Sequence, residues 1–196
     1  PKPPSFSFTS PQPIPADIRE KMWGQSYREG CPLDIEQLSL LRLSHWSMAG
    51  DVVTGELIVA RTEADAIVDV FKQLFEAGFP IKSMRLIHEY GGDDDASMAD
   101  NNTSAFNCRQ SAGSSRWSEH SYGAAIDINP LINPYVTTSG RVMPPEGAPY
   151  QDRTLGEPGM IVSGDAIDSA FTEIGWSWGG RWSRSKDYQH FSRSGR

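Results

Sequence analysis

Strand-like and helix-like stretches are mixed along this chain without the strand–helix–strand rhythm of a parallel sheet. That pattern points to an α+β fold. The clearest element is a helix over Thr62–Ala77, where Ile67, Val70, Phe71, Leu74 and Phe75 follow helical spacing and Gly78 and Pro80 end it. Thr62 and Asp65 resemble a capping box with Asp in place of Glu. Leu38–Met48 and the β-branched run Val52–Ala60 read as a hairpin about the turn Ala49–Gly50–Asp51. Helices are expected over Ala16–Glu29, with Ile18, Met22 and Trp23 on one face, and over Ser163–Ile174. Strands are expected over Met84–Tyr90 and Ala124–Asn129. Between them lie two long irregular segments, Gly91–Arg116 and Pro130–Pro158. Loops of that length in a compact domain usually carry function.

With 196 residues the chain is long enough for one domain with an ordinary core. Residues 1–15, rich in Pro and Ser, read as a linker or tail, which leaves 16–196 as the domain. The net charge is −7 and no basic stripe is present, which argues against nucleic acid or an anionic membrane as a partner. No apolar run approaches the length of a membrane span. The two cysteines, Cys31 and Cys108, are too few for a thiolate zinc site. They form either a disulfide, which implies an oxidising compartment, or two buried thiols, and the residues leave both open.

The chemistry concentrates in Ser118–Asp127 and Asp187–Phe191. On a strand over 124–129, Ile126 and Ile128 face one side while Ala125, Asp127 and Asn129 face the other. Ala125 leaves room beside the Asp127 carboxylate, and Gly123 lets the chain fold back so that His120 reaches the same space. His190 can add a third ligand. Two imidazoles and one carboxylate suit Zn²⁺, with a fourth position left for water. A carboxylate must accept the proton of that water. Asp187 can do so if the chain turns between it and His190, because on a regular strand the two would point apart. His45 and His88 lack a partner motif and read as structural. Asp93–Asp95 lacks the spacing of a calcium loop and reads as a solvated run.

Ser118-x-His120-x-x-Gly123-x-Ala125-x-Asp127 resembles the SxHxxGxAxD signature of the zinc D-alanyl-D-alanine carboxypeptidases, peptidase family M15. Trp176–Phe191 and Asn101–Arg109 are similar to its VanY and L-alanyl-D-glutamate peptidase branch. The resemblance implies one zinc ion on His120, Asp127 and His190, with Asp187 as catalytic base and Arg109 binding substrate and polarising the scissile carbonyl. It also implies a small α+β fold with a central antiparallel sheet flanked by helices, like that of the hedgehog signalling domain. Ser118, Tyr122, Trp178 and Trp182 are expected to contact substrate. The implied activity is hydrolysis of bacterial peptidoglycan stem peptides, at the L-Ala–D-Glu bond or the terminal D-Ala bond, by a monomer that is secreted or held in the cell wall. A non-catalytic zinc-binding module and a D,D-dipeptidase are the alternatives.

Overall fold

A computed structural model describes residues 4–111 and 113–195. In chain order the elements are α1 (Ala16–Met22), β1 (Leu38–Trp46), β2 (Val52–Ala60), α2 (Ala64–Glu76), β3 (Ser83–Met84), α3 (Asp94–Ala99) and β4 (Asn102–Thr103). There follow β5 (Ala125–Asp127), β6 (Tyr135–Val136), β7 (Val142–Met143), α4 (Ala166–Glu173), β8 (Ser177–Trp178), β9 (Lys186–Asp187) and β10 (His190–Ser192). The fold is α+β, as expected.

The hairpin forms where the two apolar runs and the turn between them place it. β1 and β2 pair antiparallel from Leu38↔Ala60 to Trp46↔Val52. The turn closes on the Ser47 hydroxyl, which accepts from the amides of Ala49 and Asp51. Away from the turn, where Val52–Thr54 are exposed, the strands are buried on both faces. Leu41, Leu43, Leu57 and Val59 pack with α2 and α4, whereas Leu38, Leu40 and Ile58 pack with Ile18 and Met22 of α1. α2 supplies Ile67, Val70, Phe71 and Leu74 to the first cluster. Burying such a stripe, rather than helix propensity, is what holds a helix of this length.

The central sheet is a row of short sheets rather than one continuous one. The Phe106 amide donates to the Ile58 carbonyl, and Ser104 and Asp127 exchange both backbone bonds. β10 then pairs antiparallel with both β5 and β8. The order is therefore β1, β2, the 104–106 segment, β5, β10, β8. Phe191 on β10 is fully buried and stacks on Phe171 of α4 with ring centroids 4.2 Å apart. Truncating a phenylalanine so placed costs about 3–5 kcal/mol. Because Phe191 and Ile126 face this helical layer, their neighbours His190 and Asp127 face the other way.

Several local expectations are corrected. α1 ends at Met22, not Glu29, because Gly24 takes φ +78° and Trp23 and Tyr27 bridge across the turn, leaving Trp23 61% exposed. No side chain caps α2, so the Thr62–Asp65 box does not form. Of the strand expected over Met84–Tyr90 only Ser83–Met84 forms, in parallel with β4. Ile87–Tyr90 is instead a 3-10 helix that the Glu89 carboxylate closes onto the Leu86 amide. The 91–116 segment is not an open loop. Residues 101–108 are all buried, and most of their polar groups bond inside: Asn102 alone bonds Ser83, Ser97 and the backbone of Arg85. The N-terminal segment is packed rather than free. Thr9 and Gln12 bond the β1 backbone, Ile14 is buried, and Phe6 lies against Phe75. The irregular 130–158 segment is gathered by Arg153, whose guanidinium bonds the carbonyls of Ile132, Tyr150 and Ile161 and lies 4.6 Å over the Tyr188 ring.

A disulfide joins Cys31 to Cys108 across 77 residues. The pairing left open by the sequence is thereby settled. No helix among the described residues is long and apolar enough to cross a membrane.

Candidate metal centre

His120 sits in a 3-10 turn, Glu119–Tyr122. The Ser118 hydroxyl caps its start by accepting from the His120 amide, and Gly123 ends it in the left-handed region at φ +61°. The turn is pressed onto the end of β2. The Gly123 carbonyl accepts from the Ala60 amide at 2.9 Å, and a side-chain carbon at position 123 would lie 2.9 Å from the Val59 carbonyl carbon. Only glycine fits there, for space as well as for φ.

Asp127 and His190 are direct cross-strand partners on β5 and β10. Opposed residues on one face hold their Cβ atoms about 5 Å apart, which brings these two side chains together. His190 Nδ1 lies 2.8 Å from Asp127 Oδ1, and His120 Nε2 lies 3.2 Å from Asp127 Oδ2. One donor atom from each of the three lies within 4.8 Å of the others. His120 and His190 are buried, and Asp127 is nearly so.

The arrangement suits a cation. His120 Nδ1 is 2.6 Å from the Ala105 carbonyl oxygen, which can only accept, so Nδ1 carries a proton and Nε2 is the nitrogen turned toward Asp127. Burial works against ionisation of Asp127, yet the charge and hydrogen bond of His120, together with the His190 bond, hold its carboxyl well below the usual range. An ionised carboxylate between two imidazoles, one with its outer nitrogen already fixed, is a donor set that fits a divalent zinc ion.

Asp187 lies three residues before His190. The chain bends at Tyr188–Gln189 between β9 and β10, so the expected break in the strand is present. Burial pushes the Asp187 carboxyl up to about 7; the His190 imidazole opposes this and the Asp127 carboxylate adds to it. Its Oδ1 is buried without a hydrogen-bond partner among the described residues. Gly179 passes so close that a side-chain carbon there would lie 2.9 Å from the Asp187 Cβ and 3.4 Å from the His190 Cβ.

The other expected residues divide. Arg109 is tied to the His120 turn through its backbone, donating to the Ser121 hydroxyl and accepting from the Ser118 amide. Its guanidinium pairs with Asp94. Tyr122 is 40% exposed at the rim of the turn, and the Trp182 ring lies 5.7 Å from that of His190. Trp178 is corrected. It is buried in the core against Phe191, and its indole N–H donates to the Tyr188 carbonyl, so it does not line a cleft. Ser118 is buried and its hydroxyl caps the turn, so a substrate contact has no exposed group to rest on. His45 is buried, with Nδ1 3.1 Å from the Trp46 carbonyl oxygen. Asp93 caps α3.

Ala105, Ser121 and Asp94 were not singled out by the sequence reading. A backbone carbonyl leaves no mark in a sequence, Ser121 lies within the motif at a variable place, and Asp94 is hidden in a run of three aspartates.

No curated protein and no solved structure gave a match to this chain. A family model does match, over residues 112–193, a span that contains all three candidate ligands and Asp187 and stops short of Arg109 and Asp94. That model is described as D-alanyl-D-alanine carboxypeptidase, and the match supports peptidase family M15 for the segment that builds this centre.

Proposed function

We propose that this protein is a secreted zinc peptidase that hydrolyses bacterial peptidoglycan stem peptides, the L-Ala–D-Glu bond being the first candidate and the terminal D-Ala bond the second. The observation that carries the reading is the convergence of His120, Asp127 and His190 donor atoms within 4.8 Å, inside a segment that matches a peptidase family. The Cys31–Cys108 disulfide supports an oxidising, extracytoplasmic setting.

Zinc on these three residues would supply a water of pKa near 7 and a Lewis acid for the scissile carbonyl. The protein's own residues do the rest. Asp187, with its free Oδ1 and raised affinity for protons, takes the proton of the attacking water and passes it to the leaving amine. Arg109 pairs with an anionic or developing negative oxygen of the substrate. The Ala105 carbonyl keeps His120 in one tautomer and one orientation. Trp182 packs beside His190 and keeps water off that side.

The test is mass spectrometry of defined muropeptides incubated with the protein, with chelator and with zinc restored. Cleavage that chelator abolishes and zinc restores is expected, and the product masses name the bond. Zinc bound at one equivalent with no cleavage of any stem peptide would replace this reading with that of a zinc-binding module.

A further inference from the structure

Arg109 is held from a direction that the motifs do not indicate. Asp94 opens α3, and its backbone is fixed there because the Asp93 carboxylate accepts from the amides of Asp95 and Ala96. One Asp94 oxygen accepts from Asn107 Nδ2 at 2.7 Å, and the other forms an ion pair with the Arg109 guanidinium on its Nε side, a contact without the alignment of a hydrogen bond. Asn107 is fully buried and also donates to the Gly92 carbonyl, while its Oδ1 is buried without a partner among the described residues. The residue between Asn107 and Arg109 is Cys108, locked to Cys31. The Arg109 backbone is bonded to the turn that carries His120.

The guanidinium is therefore gripped by its inner edge. Its Nη1 makes one long bond, 3.3 Å, to the Gln110 carbonyl, and its Nη2 donates to no protein group among the described residues. Side-chain exposures of 32% for Arg109 and 24% for Asp94 place the pair at the boundary between protein and solvent. An arginine side chain free to rotate gives up rotamer entropy when a ligand orders it. One already held by an ion pair to a fixed carboxylate presents its outer donors as a fork, the geometry that suits a carboxylate.

We infer that Asp94 is the positioning residue of Arg109: it orders the guanidinium before substrate arrives and turns its outer edge toward a carboxylate of the peptide. The inference rests on the reading of Arg109 as a substrate-binding residue. It goes beyond that reading by naming a residue outside the matched segment, on an element that supplies no ligand.

The experiment is a double-mutant cycle on the zinc-loaded protein with the muropeptide that the wild type cleaves, comparing Asp94→Asn, Asp94→Glu, Arg109→Ala and the Asp94→Asn/Arg109→Ala pair. Asp94→Asn is expected to lower kcat/KM about tenfold, mainly through KM, because it removes the charge that holds the guanidinium. Asp94→Glu should recover part of the loss. In the Arg109→Ala background the same substitution should change kcat/KM less than twofold. Zinc affinity should be the same in all five proteins, which separates positioning from collapse of the site. An Asp94→Asn effect that persists undiminished without Arg109 would overturn the inference. So would an Asp94→Asn protein within twofold of wild type when Arg109→Ala is impaired. If Arg109→Ala itself is fully active, the reading of Arg109 fails and the inference falls with it. A second readout needs no turnover. The Arg109 Nε–H resonance in ¹⁵N NMR of the zinc-free protein should be slowly exchanging in wild type and lost to exchange in Asp94→Asn. An unchanged resonance overturns the inference even if no peptide is cleaved.

Discussion

Gly123→Ala tests whether the His120 turn is held by its seat on β2. Two penalties are expected. The first is conformational: a left-handed φ of +61° costs an L-residue about 1–2 kcal/mol. The second is steric. The new carbon would clash with the Ala60 amide nitrogen and lie 2.9 Å from the Val59 carbonyl carbon and 3.1 Å from the Ala60 Cα. All three are backbone atoms, so no rotamer change relieves the contact, and overpacking of this kind adds about 1–3 kcal/mol. The sum is about 2–5 kcal/mol, a fall in Tm of roughly 4–20 °C for a domain of this size. Gly78→Ala is the control. Its φ is +70° and nothing lies within 4 Å of the added carbon, so it should carry the first penalty alone. The assay is thermal unfolding of both variants and a zinc-binding isotherm for each. Gly123→Ala should unfold at the lower temperature and bind zinc at least tenfold more weakly, while Gly78→Ala binds as wild type does. Equal losses of stability with zinc affinity intact in both would refute the claim that contact with β2 positions His120.

Three further outcomes are expected. Replacing His120, Asp127 or His190 by Ala should abolish stoichiometric zinc binding in equilibrium dialysis, whereas His45→Ala should keep it; saturating zinc at a thousand times its Kd should stabilise the wild type by about 4 kcal/mol, seen as a matching drop in Tm on chelation. Replacing both Cys31 and Cys108 by Ala should lower Tm by roughly 8–16 °C, because the 77-residue separation removes about 4 kcal/mol of loop constraint when the bond is lost. In the zinc-free protein the Asp187 carboxyl binds its proton up to about pH 7 when folded and only up to about 4 when unfolded, so its contribution is fully present at low pH and is lost as pH rises through that window. Urea unfolding should therefore show Asp187→Asn gaining stability over wild type between pH 4 and 7 and holding the gain above it; parallel curves would contradict the burial of that group.

The parts of the molecule that could be read from the sequence are those whose physics is local or strictly periodic. The β1–β2 hairpin and α2 follow from apolar, β-branched runs and from helical spacing about unmistakable turn residues. The cluster of His120, Asp127 and His190 could be anticipated because a donor set for one ion needs fixed residue types at fixed spacing, as at His120 and Asp127. Trp178 and Trp182 stand four residues apart with the same side chain, yet one is core and the other lies against His190; only the pairing of β8 with β10 decides which. Residues 101–108 look solvent-loving because Asn, Thr and Ser usually are. They are buried because side chains such as Asn101, Asn102 and Thr103 find bond partners in segments distant in sequence. The same is true of the N-terminal segment: a proline-rich strip shows no period, but it needs none to lie along the open edge of β1.

The order of the three clustered residues along the chain has a consequence for folding. Synthesis proceeds from the N-terminus, and the strand that carries His190 is the last of the described elements to appear. Asp127 must wait for a partner 63 residues further on, so this pairing is of high contact order and is expected to close late in folding. The Cys31–Cys108 bond spans an earlier stretch, so it can form on a chain in which Asp127 still lacks its cross-strand partner. The His120–Asp127–His190 cluster is thus assembled on a chain that its disulfide can already hold together.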